Sequence, residues 1–225
     1  PTISFDFCYP LYYYTSIDLS FLIIFVYTHP IDTFLVFEED NKMDEIILTT
    51  YRELNYKGIK FTMDDIAAQL GMSKKTIYKM FASKNDLVLT VVNAWIACAE
   101  EEENKILAEG IPLQQKIANF LFLDVPGFEY PTLLFGRDIT RHLPEVEKSL
   151  HNFSERRDKL LVNLLDESIE KKIIRPISTK YTADLLHNLY IVAIEREVPA
   201  RHNMTLEESI RAGIELIMHG ILIKE

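Results

Sequence analysis

The chain is poor in the residues that most often announce chemistry. Its 225 residues include only two cysteines, Cys8 and Cys98, ninety positions apart. That pair makes neither a disulfide framework nor a zinc-binding spacing, so a reducing, cytoplasmic setting is the default. The six histidines are scattered and form no convincing ligand pair with a nearby Cys, Asp or Glu, so neither a metal nor another cofactor is expected. Seven glycines leave no Gly-rich phosphate loop, and no internal repeat or low-complexity linker is present. Long apolar runs are also missing: within residues 1–42 the longest charge-free stretch, 19–31, is 13 residues, against the roughly 20 that a membrane span needs. No Lys or Arg precedes Lys42, so the positive n-region of a signal peptide is absent.

What is present divides sharply at Met43. Eleven of the 24 Phe and Tyr residues fall in the first 37 positions, and Tyr12, Tyr13 and Tyr14 are consecutive. Residues 1–42 therefore read as an atypical hydrophobic leader foreign to the native chain, with Met43 as the biological start. A native extension adding strands or a partner surface is the rival reading, favoured by its β-rich makeup. Charge divides too. The formal net charge is −10; residues 1–42 contribute −5 and residues 87–225 contribute −6, whereas residues 43–86 carry +1. Inside that block, residues 57–84 hold six lysines against Asp64 and Asp65. A small basic patch on an acidic body directs attraction for DNA to one face.

That patch coincides with residues 61–81, FTMDDIAAQLGMSKKTIYKMF. Thr62 with Asp65 forms a capping box, Phe61 and Ile66 occupy hydrophobic-staple positions, and Gly71 supplies the left-handed residue that ends a helix. Ser73 caps a second helix, with Met72 and Ile77 repeating the staple. Ser83 with Asp86 opens a third. Two short helices joined this way predict a helix-turn-helix whose second helix begins Lys74, Lys75, Thr76. The first turn of a recognition helix is the part that reaches base edges and phosphates. An ordinary helical hairpin with a solvated lysine face is the competing reading.

Helical periodicity continues to the end of the chain, so the fold class is all-α. An N-terminal helix from Met43 is stopped by Gly58. A long helix after Ser83 carries Leu87, Val88, Val91, Val92, Trp95, Ile96 and Ala99 on one stripe. The acids Glu100 to Glu103 on it read as a solvated face; lying consecutively around a helix, they do not converge on one metal. Further helices are expected over 113–125, 132–143, from Pro144 until Pro176 closes it, over 178–198, and over 205–223, the last opened by the box Thr205 and Glu208. Tyr181, Leu185, Leu189 and Val192 share a face in the penultimate helix, and Leu206, Ile210, Ile214, Ile217 and Ile221 in the last. The penultimate helix is apolar on more sides than one core requires, which points to a four-helix dimer interface. A monomer with a thick core is the alternative. A pocket is apolar with a few convergent polar groups. Candidates for lining it are Trp95, Phe120, Phe128, Phe135, Phe153 and Tyr190, with Arg137, Arg141 or His187 as polar groups, suited to an amphipathic or aromatic molecule bearing an anionic group.

Residues 43–90 resemble the DNA-binding domain of the tetracycline-repressor (TetR-like) transcriptional regulators. Gly58, Thr62, Asp65-Ile66-Ala67, Gly71-Met72-Ser73, Ile77-Tyr78, Phe81, Lys84 and Leu87 carry the resemblance. It implies about nine helices: a three-helix DNA-binding domain at 43–90 and a helical ligand-binding and dimerisation domain at 91–225. It also implies a homodimer on a palindromic double-stranded operator, released by a small-molecule effector, and no enzymatic activity. By position, Lys74, Lys75 and Thr76 match base and phosphate contacts, Tyr78 and Lys79 backbone contacts, and Thr62 and Lys84 phosphate contacts. Lys75 departs from the family, in which many relatives carry a small residue. Tyr78 can also be read as core, and Lys84 as a first-turn surface lysine. Two other functions stand beside this one: a regulator controlled by a protein partner or by no ligand, and a DNA-processing enzyme with a helix-turn-helix for targeting.

Overall fold

The structure, a computed structural model, describes residues 40–129, 139, 141–195 and 198–221. These residues belong to one unit of the chain that begins at Glu39. All but the last three residues of the leader, 40–42, therefore lie outside the described residues. Helix follows helix, and no strand forms among the described residues.

The first helix, α1 (Asp40–Lys57), stops where Gly58 takes φ +59°, and a short 3₁₀ turn (Gly58–Lys60) leads on. Next come α2 (Met63–Gln69) and α3 (Lys74–Met80), parted at Gly71, φ +61°. Both angles lie in the left-handed region that glycine enters without a Cβ clash. The caps are those the side-chain pattern requires. Thr62 Oγ1 accepts from the Asp65 amide at 3.2 Å while Asp65 accepts from the Thr62 amide at 2.7 Å. Ser73 Oγ accepts from the Thr76 amide at 3.1 Å. At the start of α4 (Lys84–Ala108) Ser83 caps Asp86, but the Asp86 carboxylate accepts from the Ala82 amide instead of closing the box on Ser83.

The helices α1 to α4 share a core of Ile46, Tyr51, Leu54, Phe61, Ile66, Ile77, Phe81, Leu87 and Val91. Ile139, Leu143 and Val146, far along the chain, complete it. The body continues with α5 (Leu113–Leu121), α6 (Pro144–Glu170), α7 (Thr179–Glu195), the single turn α8 (Val198–Arg201) and α9 (Leu206–Ile221). A second core joins α5, α6, α7 and α9 through Ile117, Phe120, Leu165, Leu186, Ile210, Ile214 and Ile221. The helix opened by Pro144 ends six residues before Pro176. Lys172 at φ 57° turns the chain back there, and the Ile173 amide donates to the Ser168 carbonyl at 2.9 Å. The Thr205–Glu208 box forms in both directions, at 3.1 and 2.7 Å.

The acidic run on α4 is a solvated face only in part: Glu100 and Glu101 stay partly exposed and Glu103 does not. Glu103 is fully buried, and it faces two arginines of α6. Arg157 Nε lies 2.5 Å from one of its oxygens, Arg156 pairs with the other, and Arg156 also lies 2.9 Å from Glu100. Four consecutive acids place at least one on the inner side of a helix, and a buried carboxylate persists only with partners of opposite charge.

Candidate functional site

The amino-terminal end of α3 stands open. Lys74, Lys75, Thr76, Tyr78 and Lys79 are all exposed, while Ile77, between them, is completely buried and fixes the helix to its core. Tyr78, with 44% of its surface exposed, is not a core residue. The six lysines of 57–84 are sorted by the fold. Lys57 is paired with Glu53 at 2.7 Å, and Gln69 donates to the same carboxylate at 2.6 Å, tying α2 to α1. Lys74 reaches Asp64 of α2 at 2.7 Å, and this hydrogen bond raises its ammonium above the usual range. The pair is exposed on both sides, so a phosphate can displace Asp64 at little cost. Lys60, Lys75 and Lys79 are exposed and hold no ion pair among the described residues.

Lys84, matched by position to a phosphate contact, is engaged within the protein. Its ammonium donates to the Ile59 carbonyl and lies 4.5 Å from the Phe61 ring centre. Burial pushes it below the usual lysine range. The charge braces the start of α4 against the turn before α2. Thr62 stays exposed, with its hydroxyl engaged by Asp65.

A cavity of about 230 Å³ opens in the body, walled by α4, α5, the segment 122–129, α6, α7 and α9. Of the residues expected to line a pocket, Trp95, Phe120, Phe128, Phe153 and His187 do so. Arg141 does not: it is exposed and outside the wall. Phe135, Arg137 and the side chain of Tyr190 lie outside the described residues. Besides His187, the polar residues in this wall are Asp124, Glu129, Ser154, Arg157 and Asp158, none of which stood out in the sequence. Their only signal there was helical spacing: Ser154, Arg157 and Asp158 recur three and four apart on α6. Arg157 also donates to the Phe120 carbonyl at 2.6 Å, and His187 Nδ1 lies 3.3 Å from Asp158 and 3.4 Å from Ser154.

One residue joins the two regions. Tyr51 of α1 is buried, its hydroxyl donates to the Glu129 carbonyl at 2.5 Å, and its ring meets Phe128 edge-on at 4.9 Å. Burial pushes its phenol well above the usual tyrosine range, which keeps it a donor. The segment 123–129 thus walls the cavity on one side and holds α1 on the other.

The apolar stripe of α9 is placed within the protomer. Ile210, Ile214 and Ile221 are buried in the second core and Ile217 packs beside it. On α7, Tyr181 is 63% and Leu185 47% exposed, Leu189 is half-buried, and α9 exposes Leu216 at 77%. The side chains of Val192 and Leu206 lie outside the described residues. No group of three or more His, Cys, Asp and Glu among the described residues could hold a metal, and no helix there is long and apolar enough to cross a membrane.

Residues 46–91 match the family described as bacterial regulatory proteins, tetR family. Over 189 residues the chain is 30% identical to YvaF, an uncharacterized HTH-type transcriptional regulator of Bacillus subtilis (strain 168), covering 81% of this chain and 97% of that protein. Solved structures share the fold. A putative transcriptional regulator from Saccharomonospora viridis, in complex with choline, superposes with TM-score 0.67 at 18% identity, over 83% of this chain and 100% of that one. FadR from Bacillus subtilis, in complex with stearoyl-CoA, gives TM-score 0.61 at 17% identity, over 79% and 98%.

Proposed function

Because this chain belongs to the tetR family of bacterial regulatory proteins, and is thereby a DNA-binding transcriptional regulator and not an enzyme, we propose that it is a ligand-responsive repressor. It works in the cytoplasm as a homodimer on a palindromic operator. The α3 helix enters the major groove with Lys75 and Thr76 at base edges. Lys74, Tyr78 and Lys79 meet the backbone, Thr62 adds a phosphate contact, and Lys60 extends the same basic surface. Lys84 supports this face from behind. The domain division is functional: α1 to α3 and the start of α4 read DNA, and the remainder senses the effector. The exposed Tyr181, Leu185 and Leu216 form the outer part of the twofold seam, over the stripe of α9 that each protomer buries in its own core.

The observation that carries the regulatory half is the Tyr51 bridge, since a molecule entering the cavity displaces Phe128 and so pulls on α1. The choline and stearoyl-CoA complexes of two proteins with this fold support a ligand in the body. Selection of bound duplexes from a random pool tests the DNA-binding half. The expected product is an inverted repeat with half-sites about one helical turn or a multiple apart; enrichment of single, unrepeated sites would overturn the dimeric reading. Tyr51→Phe tests the bridge. Losing one buried hydrogen bond costs about 1 kcal/mol. Amide exchange is expected to quicken in both 123–129 and α1. Acceleration confined to one of them would show that the segments are not coupled.

A further inference from the structure

The cavity wall is largely apolar, and where α6 meets α7 it has a polar corner. Ser154 and Asp158, one turn apart on α6, and His187 of α7 all line the cavity. His187 Nδ1 lies 3.3 Å from a carboxylate oxygen of Asp158 and 3.4 Å from Ser154 Oγ. Both neighbours are oxygens that accept, and one of them is charged. In the neutral imidazole the ring proton therefore belongs on Nδ1. A carboxylate set against one nitrogen of a histidine fixes the tautomer and makes the other nitrogen more basic. That other nitrogen, Nε2, carries the lone pair and has no partner among the described residues. His187 and Asp158 keep 38% and 39% of their side-chain surface exposed, so the corner can be reached from outside.

The rest of the space suits an aromatic body. Trp95 and Phe153 line it and meet edge-on at 5.3 Å, and Phe128 lines it as well. An anion at the polar corner would meet the Asp158 carboxylate, and an ammonium would compete with His187 for that same carboxylate. A neutral O–H needs only the acceptor that Nε2 offers. We propose that the effector is a small uncharged phenol, whose hydroxyl donates to His187 Nε2 and whose ring lies in the apolar part of the cavity. This keeps the aromatic body expected from the sequence and replaces the anionic group expected with Arg137 and Arg141 by a neutral donor. It rests on the reading of this cavity as the effector site.

Trp95 is the chain's single tryptophan, so its emission reports on this wall. The full-length protein is titrated at about pH 8, above the ordinary imidazole range, and read by calorimetry and by Trp95 emission. The probes are 4-ethylphenol, 4-ethyltoluene (a methyl in place of the hydroxyl), and the charged 4-ethylbenzoate and 4-ethylbenzylammonium. A site built to receive a hydroxyl rejects the analogue that lacks it. The phenol is therefore expected to bind about tenfold or more tightly than the toluene, a difference of about 1.4 kcal/mol. His187→Phe keeps a ring and removes the acceptor, so it should cut that advantage about threefold or more while 4-ethyltoluene binds as before. Asp158→Asn removes the charge that holds the proton on Nδ1 and should cut it too. Being an isosteric change on a partly exposed residue, it serves if His187→Phe folds poorly. A smaller phenol advantage in the parent, or tighter binding of either charged compound, overturns the neutral-donor class and leaves the effector site standing. An advantage that these variants leave intact overturns the assignment to His187. Failure of all four compounds to perturb Trp95 or release heat overturns both the class and the site.

Discussion

Replacing Glu103 with alanine is expected to be the most damaging single change in the body of the protein. The carboxylate is fully buried and is shared by Arg156 and Arg157, whose side chains remain 33% and 26% exposed. Truncating one partner of a buried ion pair costs about 3–5 kcal/mol, because the other charge is left without compensation. Partial solvation of the two arginines places the loss near the lower end, about 3 kcal/mol, or roughly a 6–12 °C fall in melting temperature for a chain of this size. Glu103→Gln keeps an acceptor and should cost less. Combining Glu103→Ala with Arg157→Met removes a stranded charge along with its partner, so the double variant should be more stable than the sum of the two single losses by about 1 kcal/mol or more. Thermal and denaturant unfolding of the four proteins measures this. A loss under about 1 kcal/mol for Glu103→Ala would show that the network does not join α4 to α6.

The second large effect lies at the opposite end of the molecule. Lys75→Ala and Thr76→Ala are each expected to weaken binding to the selected duplex by about tenfold or more, the ~1–3 kcal/mol carried by a contact in the groove. Both side chains are exposed, so folding should be unaffected. The Ser73 cap survives Thr76→Ala because it uses the backbone amide of Thr76. Lys75→Ala should also lower the salt dependence of binding, since a lysine charge held in the groove helps to neutralise the flanking phosphates and release their counterions. Thr76→Ala should leave the salt slope unchanged and relax the preference at one base. Lys180→Ala, an exposed lysine of α7, is the control and should bind as the parent does. Fluorescence anisotropy across a salt series separates these outcomes; wild-type affinity in both α3 variants would remove α3 from the interface.

The features legible before the structure were those decided within four residues of the chain. The Thr62–Asp65 and Thr205–Glu208 boxes, the Ser73 cap and the turns at Gly58 and Gly71 all depend on local geometry. Features decided by distant partners were not legible. Glu103 looked like one acid among four because its arginines lie more than fifty residues away. The bond from Lys84 to the Ile59 carbonyl was not foreseen because a sequence does not record which carbonyl an ammonium finds. The stripe of α9 looked like a subunit seam because periodicity reports that a face is buried and is silent on whether its own protomer or a partner covers it. Aromatic cavity residues were anticipated from their type, but Arg157 and Asp158 were passed over. Their role depends on where α6 meets α5 and α7.

The measurement closest to the centre of this account is a competition assay at low ionic strength, with the selected duplex against unrelated genomic DNA. A regulator that reads base edges through α3 should hold its own duplex about a thousandfold or more tightly than bulk DNA, and that preference should collapse in a Lys75→Ala, Thr76→Ala double variant that keeps its fold. Equal affinity for every duplex in the parent protein, or an undiminished preference in the double variant, would contradict it.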